Sequence, residues 1–350
     1  MKVSVIIPFY NTEKEICECL GSVFAQTYPH IEVILVNDGS TDNSKAVVEE
    51  FITEYRSRYE IIIKDHEYNR GASAARNTGI NVATGDYLYF LDSDDRLTPT
   101  SIESLVRPLE RKRYDMVIGD YQQIGYRPQK WKLKIRGGEW NDTVAIVRNH
   151  CHQNIYVFPF NKLCNRAFLL NNSLYFEEGV THEDVLWSLR VCLNIQSMYV
   201  VKEVTYHYYV RDTSVSGTES WQDELRAYIR LLPLMNDSFV NSRNKCDNEV
   251  KYDFFDDIFL RRYKWCYVDH MKEEYVAMRA LDPRPASWIL KKSISSISYL
   301  RANIHRLLPV NPFYSIITKR IDRVYQQYRK DNRRRSRYYD KINDRLKLPQ

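Results

Sequence analysis

Gly85-Asp86-Tyr87-Leu88-Tyr89-Phe90-Leu91-Asp92-Ser93-Asp94-Asp95 is the stretch on which the fold turns. Residues 87–91 form an unbroken apolar run, which reads as a strand covered on both faces. Three carboxylates follow within four residues. Working outward, residues 3–7, 31–36 and 61–63 read as further short strands rich in β-branched side chains. Between them lie helical patterns. Ile16, Leu20, Val23 and Phe24 recur at helical spacing within 13–26. Asp42 is placed to cap the next helix, with Ala46, Val47 and Phe51 on its inner face, and 72–83 reads as a third. Strand and helix alternation of this kind implies right-handed βαβ units, and so an α/β fold with a parallel sheet flanked by helices.

Beyond about residue 114 the pattern shifts to short strand-like runs with turn signals at Gly119, Gly125 and Pro128. Helical stretches are expected near 139–148 and 160–170 and from Glu183, and strands at 198–201 and 205–211. After about residue 218 the pattern is helical, with long stretches at 223–239 and 249–271. The expected divisions are 1–217, with halves 1–126 and 127–217, then a helical region 218–286 and a basic tail 287–350.

Composition bounds the class. The chain has 350 residues, 44% hydrophobic and 27% charged, which excludes a largely disordered protein. The net charge of +6 is unevenly spread: residues 287–350 hold sixteen Lys or Arg against four Asp or Glu, and the other 286 hold 35 against 41. No uncharged apolar run approaches the ~18 residues of a membrane span, and the apolar N-terminal stretch is short for a signal peptide. Seven scattered cysteines, none in a C-x-x-C pair, suit free thiols in a reducing, cytoplasmic setting.

Ligands of an open parallel sheet bind at the carboxyl ends of its strands. Here those ends supply Pro8, Phe9, Tyr10 and Asn11, followed by Glu15; then Asn37, Asp38, Gly39 and Ser40; then Asn69, Arg70 and Arg76; then Asp92, Ser93, Asp94 and Asp95. Acids packed this closely repel unless something positive offsets them. Mg²⁺ or Mn²⁺ suits such oxygen donors and often takes only one or two protein carboxylates, completing its shell with phosphates and water. Cleavage of a nucleoside diphosphate bond calls for that cation. A solvated turn or a helix cap before 101–109 is the plainer alternative.

Four blocks now stand in order: Val-Ile-Ile-Pro-Phe-Tyr-Asn (5–11), Val-Asn-Asp-Gly-Ser-Thr-Asp (36–42), Asn-Arg-Gly-Ala-Ser-Ala-Ala-Arg-Asn-Thr-Gly (69–79) and the 85–95 stretch. Together they resemble the signature blocks of the family 2 glycosyltransferases, inverting, nucleotide-sugar-dependent enzymes of the Rossmann-like GT-A fold. The resemblance covers about 3–216. It implies a mixed, mainly parallel sheet, followed here by an α-helical C-terminal extension. It also implies roles. Asp38 and the Pro8, Tyr10, Asn11 and Glu15 region would hold the nucleobase, usually uracil. Asp92 would meet the ribose, with Asn69, Arg76 and Ser93 in the donor pocket, and Asp94 would bind the metal.

The segment Thr181-His182-Glu183-Asp184-Val185 resembles the family's Glu-Asp block, whose second acid is the general base. An acceptor hydroxyl is a poor nucleophile, and a carboxylate taking its proton contributes ~10²–10⁴-fold. Asp184 is the expected base and Glu183 the runner-up; helix N-terminal acids complementing the dipole are the alternative. Lys162, in Phe-Asn-Lys-Leu, is expected to meet a phosphate or to lie on the surface. The segment 206–214 resembles the Tyr-rich block that closes over the diphosphate, which would give Arg211 and Ser214 phosphate contacts. It departs from the common form at Tyr209 and His207. His207 is either an additional metal ligand or a packed histidine.

In the tail, Leu290, Ile294, Ile297, Leu300, Ile304 and Leu308 share one helical face with Lys and Arg around it. Such a helix can lie in an anionic membrane interface or pack on the catalytic domain. No nucleic-acid recognition motif accompanies the charge. The whole reading is a cytoplasmic, metal-dependent inverting glycosyltransferase, peripheral on the membrane if the tail anchors it. It would take a nucleotide-sugar donor and a glycan or lipid-linked acceptor. A sugar nucleotidyltransferase would want a Gly-rich, Arg-containing loop after the first strand. A silent glycan-binding or nucleotide-binding scaffold would be expected to lack Asp94 or Asp184.

Overall fold

The first strand, β1 (Val3–Phe9), is buried along its length apart from half-buried Pro8. Its alternation sends Val3, Val5, Ile7 and Phe9 into one apolar layer and Ile6 into another on the opposite face. Both faces of the strand therefore need cover, and helices supply it. The computed structural model describes residues 1–125, 128–210 and 221–244, with Lys251 and Phe254.

The chain continues through α1 (Ile16–Phe24), β2 (Ile31–Asn37), α2 (Ser44–Phe51), β3 (Glu60–Asp65), α3 (Ala72–Val82), β4 (Tyr87–Phe90), β5 (Arg96–Leu97) and α4 (Ser101–Val106). Then come β6 (Met116–Gly125), β7 (Gln129–Trp131), β8 (Gly138–Trp140), α5 (Thr143–Cys151), β9 (Lys162–Asn165), α6 (Arg166–Asn171), α7 (Glu183–Asn194), β10 (Met198–Val210) and α8 (Trp221–Asn241). The strands make one sheet in the order β3-β2-β1-β4-β9-β6-β10-β5, with β7 on β6 and β8 on β10. Neighbours β3, β2, β1 and β4 are parallel, as are β6 and β10. β9 runs antiparallel between β4 and β6. This is the mixed, mainly parallel sheet expected.

Helices α1, α2 and α4 cover one face through Leu20, Val48 and Leu105. Helices α3, α5, α6 and α7 cover the other through Ile80, Ile146, Leu169 and Trp187. The sheet grows from β1 to β2 to β3 in one direction and resumes with β4 on β1's other side. That reversal opens a crevice beyond the carboxyl ends of β1 and β4, where α/β sheets bind ligands.

Two expected elements change. Residues 160–170 read as one helix, but 162–165 form β9 and only Arg166–Asn171 is helical. Phe160, Leu163, Cys164 and Phe168 fit a helical period. In the fold Leu163 and Cys164 face opposite layers instead. Asn161, at φ 55°, reverses the backbone just before β9, and the Asn165 side chain caps α6. The strands expected at 198–201 and 205–211 are one strand, β10, with register shifts after Val201 and Val204.

Two compact units emerge, Met1–Asp247 and Asn248–Gln350. The first includes α8, which the sequence reading put beyond an edge at 217. α8 is held to α7 by Arg190 Nε donating to Ser238 Oγ at 3.3 Å. Just after it, Asn244 N–H donates to Leu193 O at 2.9 Å. Among the described residues no helix is long and apolar enough to cross a membrane. The expectations for Arg211, Ser214 and the tail 287–350 fall outside the described residues.

Candidate active site

Three loops are tied together at the carboxyl edge of β1, β2 and β3. Asn11 follows β1 in the left-handed region, at φ 51°. Its Oδ1 accepts from Thr41 N–H at 2.8 Å, and Thr12 N–H donates to Ser44 Oγ at 2.7 Å. These bonds join the loop after β1 to the loop after β2. Tyr10 stands exposed on the rim, and Pro8 and Glu15 are half-buried beside it. Asp38 is buried at the end of β2. Its carboxylate accepts from Arg70 N–H at 3.0 Å, Gly71 N–H at 2.8 Å and His66 Nδ1 at 2.6 Å. Asn69 is exposed, and its Oδ1 accepts from Gly71 N–H at 3.1 Å. Gly39 adopts φ 69°, and a Cβ there would fall 2.5 Å from the Tyr68 carbonyl carbon. Only glycine lets these loops meet so closely.

Arg76 joins this edge to the second half of the chain. It projects from α3 and is 6% exposed. Its Nη2 donates to Asp92 Oδ1 and its Nη1 to Glu183 Oε1, both at 3.0 Å. The guanidinium lies 5.3 Å from the centre of the Phe176 ring. Burial works against its charge, but Asp92 and Glu183 outweigh that and hold its pKa above the usual arginine value.

The acids after β4 have separate surroundings. Asp95 is fully buried and accepts from Tyr206 O–H at 2.6 Å and Tyr209 N–H at 2.7 Å. Burial, then the charges of Asp92 and Asp94, push its carboxyl well above the carboxylate range. Ser93 is buried, and Asp94 is half-buried with its charge felt at Asp95 and Tyr208. Among the described residues no three His, Cys, Asp or Glu side chains gather into a ready-made metal cage. The donor set instead fits a hard cation held by one or two carboxylates and completed by phosphate oxygens. His207, in β10, sits opposite Arg96 of β5. Burial and the Arg96 charge lower its pKa.

Glu183 and Asp184 open α7, after His182 in a left-handed conformation at φ 60°. Glu183 is held by Arg76. Asp184 is half-buried; burial and the Glu183 charge raise its pKa, and the Val185 N–H, Arg76 and His182 oppose them. Tyr208 feels Asp95, Asp92, Asp94 and Asp184 together, and burial with those charges pushes its phenol up to about 12. The charges of the acids after β4 and of the acid that opens α7 thus converge on Tyr208, which belongs to a cluster of packed aromatic rings. Phe160 stacks on Tyr206 at 4.3 Å and on Phe158 at 4.9 Å.

Lys162 is not on the surface. It is 1% exposed, and its Nζ donates to Tyr156 O at 3.1 Å and to Phe158 O. Burial lowers its pKa to about 7. A diphosphate contact would have to displace those carbonyls. Asn161 beside it is fully buried: its Nδ2 donates to Gly119 O and Asp120 O at 3.0 Å, and its Oδ1 accepts from Thr205 Oγ1 at 2.7 Å. Asn161 therefore ties the start of β9 to β6 and β10, and Lys162 ties it to the preceding 156–158 segment.

Sequence reasoning did not single out His66, the separate surroundings of Asp95, or the cluster of Phe158, Phe160, Tyr206 and Tyr208. The two-residue spacing of Tyr206 and Tyr208 on a strand was the available sign of the cluster.

The model of the "Glycosyl transferase family 2" matches residues 4–170. GlyG of Streptococcus pneumoniae, a glycosyltransferase, is 31% identical over 236 residues, covering 64% of this chain and 76% of GlyG. YibD of Escherichia coli, an uncharacterized glycosyltransferase, is 27% identical over 325 residues, or 88% of this chain and 91% of YibD. A crystal structure of Staphylococcus aureus TarS residues 1–349 with UDP-GlcNAc superposes with a TM-score of 0.67. That match has 20% identity and covers 93% of this chain and 92% of the TarS fragment. Against full-length TarS, a poly(ribitol-phosphate) beta-N-acetylglucosaminyltransferase, this chain aligns to 35% of the length. The protein belongs to the family 2 glycosyltransferases and has their GT-A fold. It is a glycosyl-transferring enzyme.

Proposed function

We propose that the protein moves a sugar from a UDP-sugar to a glycan or lipid-linked acceptor in polysaccharide synthesis, with inversion at the transferred carbon. The observation that carries this is the Arg76 bridge, which joins the Asp92 end of the donor edge to the Glu183–Asp184 start of α7. The bridge occupies Glu183, so Asp184 is the base. Its carboxylate takes the acceptor hydroxyl proton as that oxygen attacks the anomeric carbon from the face opposite the nucleotide. The bond from that carbon to the diphosphate oxygen breaks, and UDP leaves. One displacement inverts the centre and needs no covalent nucleophile.

Asp38, with Pro8, Tyr10, Asn11 and Glu15, holds the base; Asp92, Ser93 and Asn69 complete the donor pocket, and Arg211 and Ser214 meet the diphosphate. Asp94 would hold Mg²⁺ or Mn²⁺, with His207 the further candidate. When bound, such a cation offsets the charge growing on the departing diphosphate. The UDP-GlcNAc complex of TarS, and its action on poly(ribitol-phosphate), support the donor and acceptor classes. The basic tail 287–350 is suited to the cytoplasmic face of an anionic membrane.

A panel of UDP-sugars, offered with candidate acceptors and read by UDP release, tests this reading. We expect turnover with at least one donor, lost in chelator and slowed ~10²–10⁴-fold by Asp184→Asn with donor binding retained. UDP bound but never released from any donor would favour a silent binding protein.

A further inference from the structure

β2 and β3 stay in parallel register to their last paired residues, Asn37 and Asp65. The next residues on the two strands are Asp38 and His66, so the register carries their side chains to the same place. The His66 N–H still donates to Asn37 O at 2.9 Å. Only 6% of the imidazole is exposed. Its Nδ1 lies 2.6 Å from Asp38 Oδ1, and its Nε2 lies 2.9 Å from Thr78 Oγ1 in α3. An ionised carboxylate only accepts, so Nδ1 carries the hydrogen; in the neutral ring Nε2 then accepts the Thr78 hydroxyl. Nothing in the chemistry described above uses this histidine.

A carboxylate offers about four acceptor positions. Asp38 Oδ1 takes His66 and the Arg70 N–H, and Oδ2 takes the Gly71 N–H. With those partners among the described residues, one position on Oδ2 is left. A carboxylate gripped by two backbone amides and a buried ring cannot turn to present both oxygens. We propose that His66 is a positioning residue for nucleobase selection: it locks Asp38 so that a single acceptor faces the base. One acceptor matches the lone N3–H of uracil between its two carbonyls. It does not match the paired N1–H and N2 amino donors of guanine, which want both oxygens of a carboxylate. This rests on the reading that Asp38 holds the base, and deepens it.

Titration calorimetry of the full chain with UDP and with GDP tests both layers. Three variants are compared with the wild type: Asp38→Asn, His66→Phe and His66→Asn. We expect His66→Phe to weaken UDP binding about tenfold or more and to narrow the preference for UDP over GDP. His66→Asn, whose Nδ2 can take the place of Nδ1, should recover most of both. Asp38→Asn should weaken UDP by itself. If it does while His66→Phe keeps wild-type affinity and preference, the role of His66 is overturned and the base reading stands. Equal loss for UDP and GDP in His66→Phe also overturns it, because general loosening of the loop gives that result. Unchanged UDP binding in Asp38→Asn overturns the base reading and the inference with it.

Discussion

Glu183 and Asp184 are adjacent in sequence, and their surroundings separate them. Glu183 meets Arg76 at 3.0 Å, whereas Asp184 is held above its ordinary pKa by burial and by the Glu183 charge. A raised pKa keeps the acid form to higher pH, and a base must be ionised, so the rate should rise as pH climbs through that raised value. Glu183→Gln removes one of the two raising causes. The acid limb of kcat/KM should move to lower pH in that variant, and an unmoved limb would take the base role from Asp184. Lys162 gives a stability test. Its folded pKa of about 7 lies below the ordinary lysine value, so above pH 7 the unfolded chain binds the extra proton. Its contribution to stability therefore grows with pH, by up to about 1.4 kcal/mol per unit. The window closes near pH ~8.5, where unfolded cysteines ionise while buried Cys164 and Cys192, pushed up to about 12, do not. Urea unfolding between pH 7 and ~8.5 should show that rise, and Lys162→Met should flatten it.

The elements of the first half were legible because each follows one rule. β1 and β2 are apolar apart from buried Ser4, Glu32 and Asn37 and lie inside; α1 carries its apolar stripe and faces one layer. The helix expected over 160–170 was not so simple, because its apolar residues fit two periods. Pairing with β4 and β6 decided in favour of a strand. Close packing between elements also lay beyond periodicity. Gly79 of α3 sits against β1, where an added Cβ would fall 2.3 Å from Ile6 Cγ2. Alanine favours a helix over glycine by ~1 kcal/mol, but forcing a methyl against a buried β-branched side chain costs ~1–3 kcal/mol. We expect overpacking to win: Gly79→Ala should lower the melting temperature, and a stabilised variant would show that α3 can shift away from β1.

At the scale of the whole molecule, α8 completes the first unit. Leu231, Met235 and Phe239 are buried, and Asn244 is bonded to the end of α7. A chain of residues 1–247 should therefore unfold at higher urea than a chain of residues 1–217, by several kcal/mol at ~1.5–3 kcal/mol per buried side chain. Equal midpoints would put the edge back at 217. The amino-acid sequence alone determined the βαβ alternation, the acidic carboxyl edge and the family, because apolar period, turn chemistry and motif order are local properties of a chain. Only the tertiary structure decided which acids act together. Glu183 is 107 residues from Arg76 in sequence, yet it meets Asp92 through that one guanidinium, while neighbouring Asp92 and Asp95 go to different partners. A side chain's charge state and freedom depend on what the fold packs against it, and sequence order does not carry that.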